Sequence, residues 1–153
     1  MKQATLCIIR EENKILLGLK KRGFGEGKYN GFGGKVMNGE SIIDAAIREL
    51  QEESGLIGIR LENVGELSFH FPHKSDWNQI VHLFVVHEYS GRLEESEEMK
   101  PFWFSVDLIP FEKMWDDDQY WLPAILEGKK IRGRFTFKED NKTIEYYELR
   151  QII

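Results

Sequence analysis

Half of the chain's glycines, seven of fourteen, fall between residues 22 and 39, at positions 23, 25, 27, 31, 33, 34 and 39. No other stretch constrains the fold as strongly. Glycine has no Cβ, so such a segment bends sharply and lets a ligand or another strand come close to its backbone. It ends where the clearest helix begins. Over residues 41–54, Ile43, Ala46, Ile47 and Leu50 recur at spacings of three and four, which predicts one buried stripe. Ser41 followed by Asp44 reads as an N-terminal capping pair, and Gly55 as the C-terminal stop.

The second half of that helix carries Arg48-Glu49-Leu50-Gln51-Glu52-Glu53. Glu49, Glu52 and Glu53 stand three and four residues apart, so their carboxylates share a face. Like charges at this spacing cost a helix a few tenths of a kcal/mol each. The macrodipole also disfavours anions near a helix C-terminus. Two readings fit these six residues: a solvated acidic face, or carboxylates gathered for a hard divalent cation such as Mg²⁺.

Charge narrows the partners. There are 26 acids against 21 bases, a net charge of −5, so nothing global attracts polymeric nucleic acid or an anionic membrane. A small anion brought in with a metal ion stays open. The one cysteine, Cys7, sits in the apolar run Ala4–Ile9, which predicts an inert core thiol in a reducing compartment. The first residues lack the apolar core of a signal peptide, and no stretch approaches the roughly 20 apolar residues of a membrane span. The expectation is a soluble, cytoplasmic monomer. With no repeat or linker, residues 1–153 read as one domain that folds without disulfide or structural metal.

Strands are predicted at 4–9 and 15–19 around a turn at 11–14, then at 58–71, 79–89 and 102–106. A hairpin is predicted from 132–138 and 143–150. A second helix is predicted from about 117 to 127, with Pro123 in its first turn or at a kink. That order points to an α+β fold, a mixed sheet with helices outside, rather than a regular parallel series. Phe102, Trp103, Phe104 and Trp121 read as core. His70, His73, His82 and His87 lack zinc-type spacing and receive no metal role.

The flanks of the acid cluster sharpen its reading. Gly34, Glu40, Arg48-Glu49-Leu50, Glu52-Glu53 and Gly55-Leu56 follow the pattern G-x5-E-x7-R-E-U-x-E-E-x-G-U, with U aliphatic. All nine defined positions over these 23 residues match, and the segment resembles the Nudix box. The resemblance implies a Nudix α/β/α sandwich with a catalytic loop–helix–loop. It further implies Mg²⁺- or Mn²⁺-dependent hydrolysis of a nucleoside diphosphate linked to another moiety. Carried over by position, Glu49, Glu52 and Glu53 would be metal ligands or the base for water. The carbonyl of Gly33 or Gly34 would complete the site, and Arg48 would orient the carboxylates. The chemistry is sensible on its own terms, because a polyphosphate repels nucleophiles until a metal neutralises it and acidifies a bound water.

Leu16–Gly25, Asn30–Val36, Glu98–Phe104, Ile109–Phe111 and Met114–Trp121 are similar to the animal-type MutT branch of that family. Its members sanitise the nucleotide pool by cleaving oxidised purine nucleoside triphosphates, such as 8-oxo-dGTP and 2-oxo-dATP, to monophosphate and pyrophosphate. By this likeness Asn30 would bond the purine edge and Trp115 would stack on its ring. Asp117 and Asp118, with Asp116 beside them, would read the base, a protonated carboxyl supplying a donor. Thr5, Lys20, Phe24, Phe32, Gly33, Gly34, Lys35 and Phe69 would line the substrate pocket, and Glu98 would add a metal ligand from a loop. For the three aspartates a plainer reading competes, as acids favoured at a helix N-terminus. Segment 71–79 is one residue longer than the family's pattern and lacks a pocket methionine, which leaves Trp77 or Gln79 in that region. Other Nudix substrates (ADP-ribose, a methylated purine nucleotide, an RNA cap) remain alternatives, as does a nucleotide-binding module without catalysis.

Overall fold

The computed structural model describes residues 1–152. Strands β1 (Lys2–Glu11) and β2 (Lys14–Lys20) form a hairpin that pairs only at its closed end, Ile9 to Glu11 against Lys14 to Leu16. Beyond that point the two strands part. β1 runs parallel to β5 (Gln79–Gly91) along Lys2–Ile9, while β2 pairs with β6 (Met99–Ser105) and with the two-residue β3 (Tyr29–Asn30). β4 (Leu56–His70) lies between β5, antiparallel, and β7 (Lys130–Phe137), parallel. β8 (Ile144–Ile152) closes the far edge against β7. The result is one mixed sheet of eight strands.

Helices cover both faces, and the strand period of two divides the core accordingly. Cys7, Ile9 and Leu16 point to α1 (Ile42–Ser54), where they meet Ala46, Leu50 and Phe32. Ala4, Ile8, Ile15 and Leu17 point the other way, into the core that includes Trp121, Leu122 and Ile125 of α2 (Asp118–Leu126). The expected α+β sandwich is the one observed. Cys7 is fully buried and burial pushes its thiol up to about 12, which leaves it inert. No helix among the described residues is long and apolar enough to cross a membrane.

Three local expectations need correction. The buried stripe of α1 is rotated, with Ala46 and Leu50 facing in beside Glu53 and Ser54 while Ile43 stays 40% exposed. Docking of Ala46 and Leu50 on the sheet decides the face, and Ser54 fits there because its hydroxyl donates to the Leu50 carbonyl at 2.6 Å. Trp103 stands exposed on β6 rather than in the core. Of the two places expected for Pro123, the first turn of α2 is ruled out, since Pro123 lies in the second. The two caps of α1 are as expected: Ser41 Oγ accepts from the Asp44 N–H at 3.2 Å, and Gly55 takes a left-handed φ of 79°.

The edge of β1 that β2 abandons is filled by the glycine-rich segment. Thr5 N–H donates to Gly34 O at 2.8 Å, Cys7 and Phe32 exchange bonds of 2.6 and 3.1 Å, and Val36 N–H donates to Gln3 O at 2.9 Å. This is where the missing Cβ matters. A Cβ on Gly33 would stand 1.8 Å from the Thr5 carbonyl oxygen, so only glycine lets the two backbones lie this close. Gly33→Ala is expected to destabilise the fold by about 1–3 kcal/mol in urea unfolding. An unchanged midpoint would count against this packing.

Candidate active site

Gly33 does more than fit. Its N–H points away from β1 and donates to Glu53 Oε1 at 2.9 Å. Glu53 lies on the buried face of α1, only 5% exposed. Burial pushes its carboxyl up to about 7; the Gly33 N–H and Lys20 oppose the rise, and the charges of Glu49 and Glu98 add to it. Glu49 comes in from one turn earlier, and its carboxylate rests on the bare Cα of Gly34. A Cβ at Gly34 would stand 2.5 Å from Glu49 Cδ. The next glycine thus makes room for the next carboxylate.

Arg48 holds this end together. Its guanidinium donates to both oxygens of Glu40, Nε at 2.7 Å and Nη2 at 3.0 Å. It also donates to Glu49 at 2.9 Å, to the Lys35 carbonyl at 3.0 Å and to Glu52 at 3.3 Å. The Arg48 pair holds the Glu40 carboxyl down at about 2. Glu52 leans outward, its side chain 59% exposed.

A hard cation that keeps several waters needs only one or two carboxylates from the protein. Glu49 and Glu53 offer that oxygen donor set. Of the two candidate carbonyls, Gly34's is already bonded to Thr5, so Gly33's faces the other way as the available backbone donor. Among the described residues, no three carboxylate, imidazole or thiol groups gather closely enough to enclose an ion by themselves. Glu98, expected as a further ligand, has both oxygens engaged by cations, Lys20 Nζ at 2.8 Å and Arg22 Nε at 2.8 Å. Its carboxyl is held low by those two bonds.

From Glu53 a cavity of about 450 Å³ opens across the α2 face of the sheet. Ala4, Leu6, Leu67 and Val81 form its apolar floor, and Phe24, Phe69, Phe71, Trp115 and Phe137 its walls. Phe24 stacks on Trp115 at 5.0 Å, and Phe71 on Phe137 at 4.4 Å. Thr5, Lys20, Asn30, Gly33, Gly34, Lys35, Asp117 and Asp118 also line it, so most of the expected pocket residues are brought together. Two are not. Phe32 is fully buried on the opposite, α1 side. Asp116 turns away, accepting from the Ile144 N–H at 2.8 Å and from the Gln119 amide at 2.8 Å. Pairing explains Phe32: its backbone partner on β1 is Cys7, and paired residues face the same side of a sheet, here the α1 side.

The buried acids are not helix caps. Asp117 makes no capping bond; its Oδ2 accepts from the Trp121 indole at 2.8 Å. Asp118 is 2% exposed and leaves its Oδ2 without a partner. Burial raises both carboxyls, Asp117 to about 6 and Asp118 well above the ordinary aspartate value, with Asp117's charge adding to the rise of Asp118. A carboxyl of this kind donates when protonated and accepts when not.

A NUDIX domain profile matches residues 1–125. The chain belongs to the Nudix family. It is 49% identical over 148 residues to the mouse "Oxidized purine nucleoside triphosphate hydrolase", covering 97% of this chain and 94% of that one. The zebrafish protein of the same name is 46% identical, with 95% and 92% covered. Among solved structures, a MutT protein from Bacillus halodurans superposes with a TM-score of 0.85 at 26% identity, covering 97% of each chain. The Nudix segment Gly34–Leu56 is thus the loop, helix α1 and turn described above.

Sequence reading passed over several lining residues of this Nudix cavity. Phe71 shares a strand face with Phe69, and Val81 with Gln79, so period two contained that signal. Phe137 and Lys28 carried none, because only the pairing of β7 beside β4 and the loop before β3 bring them here. Trp121 is core, as expected, and also cavity wall.

Two acids raised by burial make a signed prediction. Their neutral forms favour the fold, so the stability they contribute is present below the ordinary aspartate value of 3.8. For Asp117 it is lost as pH rises through about 6, and for Asp118 as pH rises through that carboxyl's own raised value. Asp118→Asn should therefore gain stability relative to the wild type as pH is raised from 4 to 8, measured by urea unfolding at each pH. A constant difference across that range would contradict the burial of these charges.

Proposed function

We propose that this Nudix chain hydrolyses oxidised purine nucleoside triphosphates, 8-oxo-dGTP and 2-oxo-dATP among them, to monophosphate and pyrophosphate. The observation that carries the reading is one continuous cavity with two chemistries. Buried aspartates and Asn30 line it among aromatic rings, and so does Glu53, which accepts from the Gly33 N–H. A flat heteroaromatic base suits the first and an anionic phosphate chain the second. The names of the mouse and zebrafish relatives support the same substrate class. The expected setting is cytoplasmic nucleotide-pool sanitation by a monomeric, single-domain enzyme.

Trp115 offers the base a ring face, while Asn30 and Asp118 bond its edge. Asn30 Oδ1 accepts from the Gly31 N–H at 2.9 Å, which leaves its amide N–H groups to donate to a base. Lys20 and Lys35 at the cavity edge balance charge on the phosphates. Glu49, Glu53 and the Gly33 carbonyl would hold Mg²⁺, with Mn²⁺ as a substitute. When bound, the ion neutralises the polyphosphate and lowers the pKa of an attacking water. Arg48 keeps Glu49 and Glu52 aimed, and a carboxylate of the trio takes the water's proton.

Initial rates with Mg²⁺ on a panel of 8-oxo-dGTP, 2-oxo-dATP, dGTP, dATP, ADP-ribose and capped RNA test the substrate. The oxidised purines should give the highest kcat/KM; values no better than dGTP and dATP would refute the reading. Glu53→Gln should keep a cooperative thermal transition and lose at least about a hundredfold in kcat. Full activity in that variant would remove Glu53 from the site.

A further inference from the structure

The cavity floor has two polar ends. β1 turns Lys2, Ala4 and Leu6 to the cavity, and its register sets Lys2 opposite Gln79 and Ala4 opposite Val81 of β5. Asn30 belongs to the Leu6 end, because the backbone of its neighbour Gly31 packs on Leu6 and Ile8. A Cβ at Gly31 would meet Leu6 Cγ at 3.2 Å and Ile8 Cδ1 at 3.1 Å. Gln79 belongs to the Lys2 end, four residues back along β1, which is about 13 Å of strand. The rung between them, Ala4 with Val81, is apolar.

The turn that ends at Gln79 is fixed by its neighbours. Lys2 Nζ donates to the Asp76 carbonyl at 2.6 Å, and the Phe71 N–H donates to Asn78 Oδ1 at 2.7 Å. Trp77 stands edge-on to Phe24 at 4.8 Å and to Phe71 at 5.5 Å. The Gln79 side chain takes part in neither hydrogen bond. It is half-buried on the cavity wall, able to donate through Nε2 and accept through Oε1.

We propose that Gln79 is a specificity-determining residue for the base, its amide pairing with the five-membered-ring edge of a purine while Asn30 and Asp118 read the opposite edge. The inference rests on the oxidised-purine reading and deepens it. A purine oxidised at carbon 8 carries an N–H at position 7 beside a carbonyl, a donor and an acceptor side by side. A primary amide is their complement. The unmodified purine presents there a bare acceptor nitrogen and a C–H. A purine oxidised at carbon 2 differs from its parent on the other edge, out of reach of Gln79. Gln79 therefore separates 8-oxo purines from their parents and leaves 2-oxo purines to the carboxylate end.

The test is kcat/KM for wild type, Gln79→Leu and Gln79→Met on 8-oxo-dGTP, dGTP, 2-oxo-dATP and dATP, with melting curves to establish that each variant is folded. In either folded variant the preference for 8-oxo-dGTP over dGTP should fall at least about tenfold, chiefly through KM. The preference for 2-oxo-dATP over dATP should stay within about twofold. Both preferences unchanged, or both falling together, would overturn the role of Gln79 while leaving the substrate class intact. A wild type without preference for either oxidised purine would instead overturn the functional reading itself.

Discussion

The site depends on one close backbone approach. Gly33 lies so near the Thr5 carbonyl that a methyl group in its place would overlap it, and this contact turns the Gly33 N–H outward to Glu53. The same short segment then does two further things. Gly34 leaves space for the Glu49 carboxylate, and its carbonyl bonds back to Thr5, which is also a cavity residue. Strand edge, carboxylate pair and pocket wall are therefore positioned by a single stretch of chain, and movement of one moves the others.

Charge arranged this way costs folding energy. A carboxylate that is nine-tenths removed from water, with another acid on the next turn, is unfavourable in isolation. Arg48 offsets part of it by holding Glu40, Glu49 and Glu52 in one network. The cavity repeats the theme with Asp117 and Asp118, buried side by side, the Trp121 indole donating to Asp117 and the charge of Lys28 opposing the rise of Asp118. Such paired, desolvated acids are poor choices for stability and good ones for ligand chemistry. The acidic balance of −5 gives the chain no global attraction for a polyanion, and part of that acidity is gathered at this cavity instead of being spread over the surface.

Much of this was legible beforehand, for physical reasons. The glycine cluster, the capped helix and the acid spacing are local patterns, and α1, β1, β2, β4 and β5 follow them closely. What escaped was non-local. Ile43 was placed inward because apolar spacing cannot tell which of two adjacent stripes will dock, and here Glu53 takes the inner one. Phe32 and Asp116 were expected at the pocket from their neighbours in sequence, yet pairing with Cys7 turns the one away and a bond from the Ile144 N–H the other. The partners of Glu98 were out of view as well, since only the pairing of β6 with β2 brings Lys20 and Arg22 beside it. The contribution of Lys28 and Phe137 was invisible for the same reason.

Everything at this site turns on Glu53, a buried carboxyl whose charged form is destabilised and which a divalent cation would stabilise. Carbon-detected NMR titration of the glutamate carboxyls in the metal-free protein tests it most directly. One glutamate should titrate near 7, should be missing from the Glu53→Gln spectrum, and should shift to lower pH when Mg²⁺ is added. All glutamates titrating in the ordinary range near 4.3, with no response to Mg²⁺, would contradict the account.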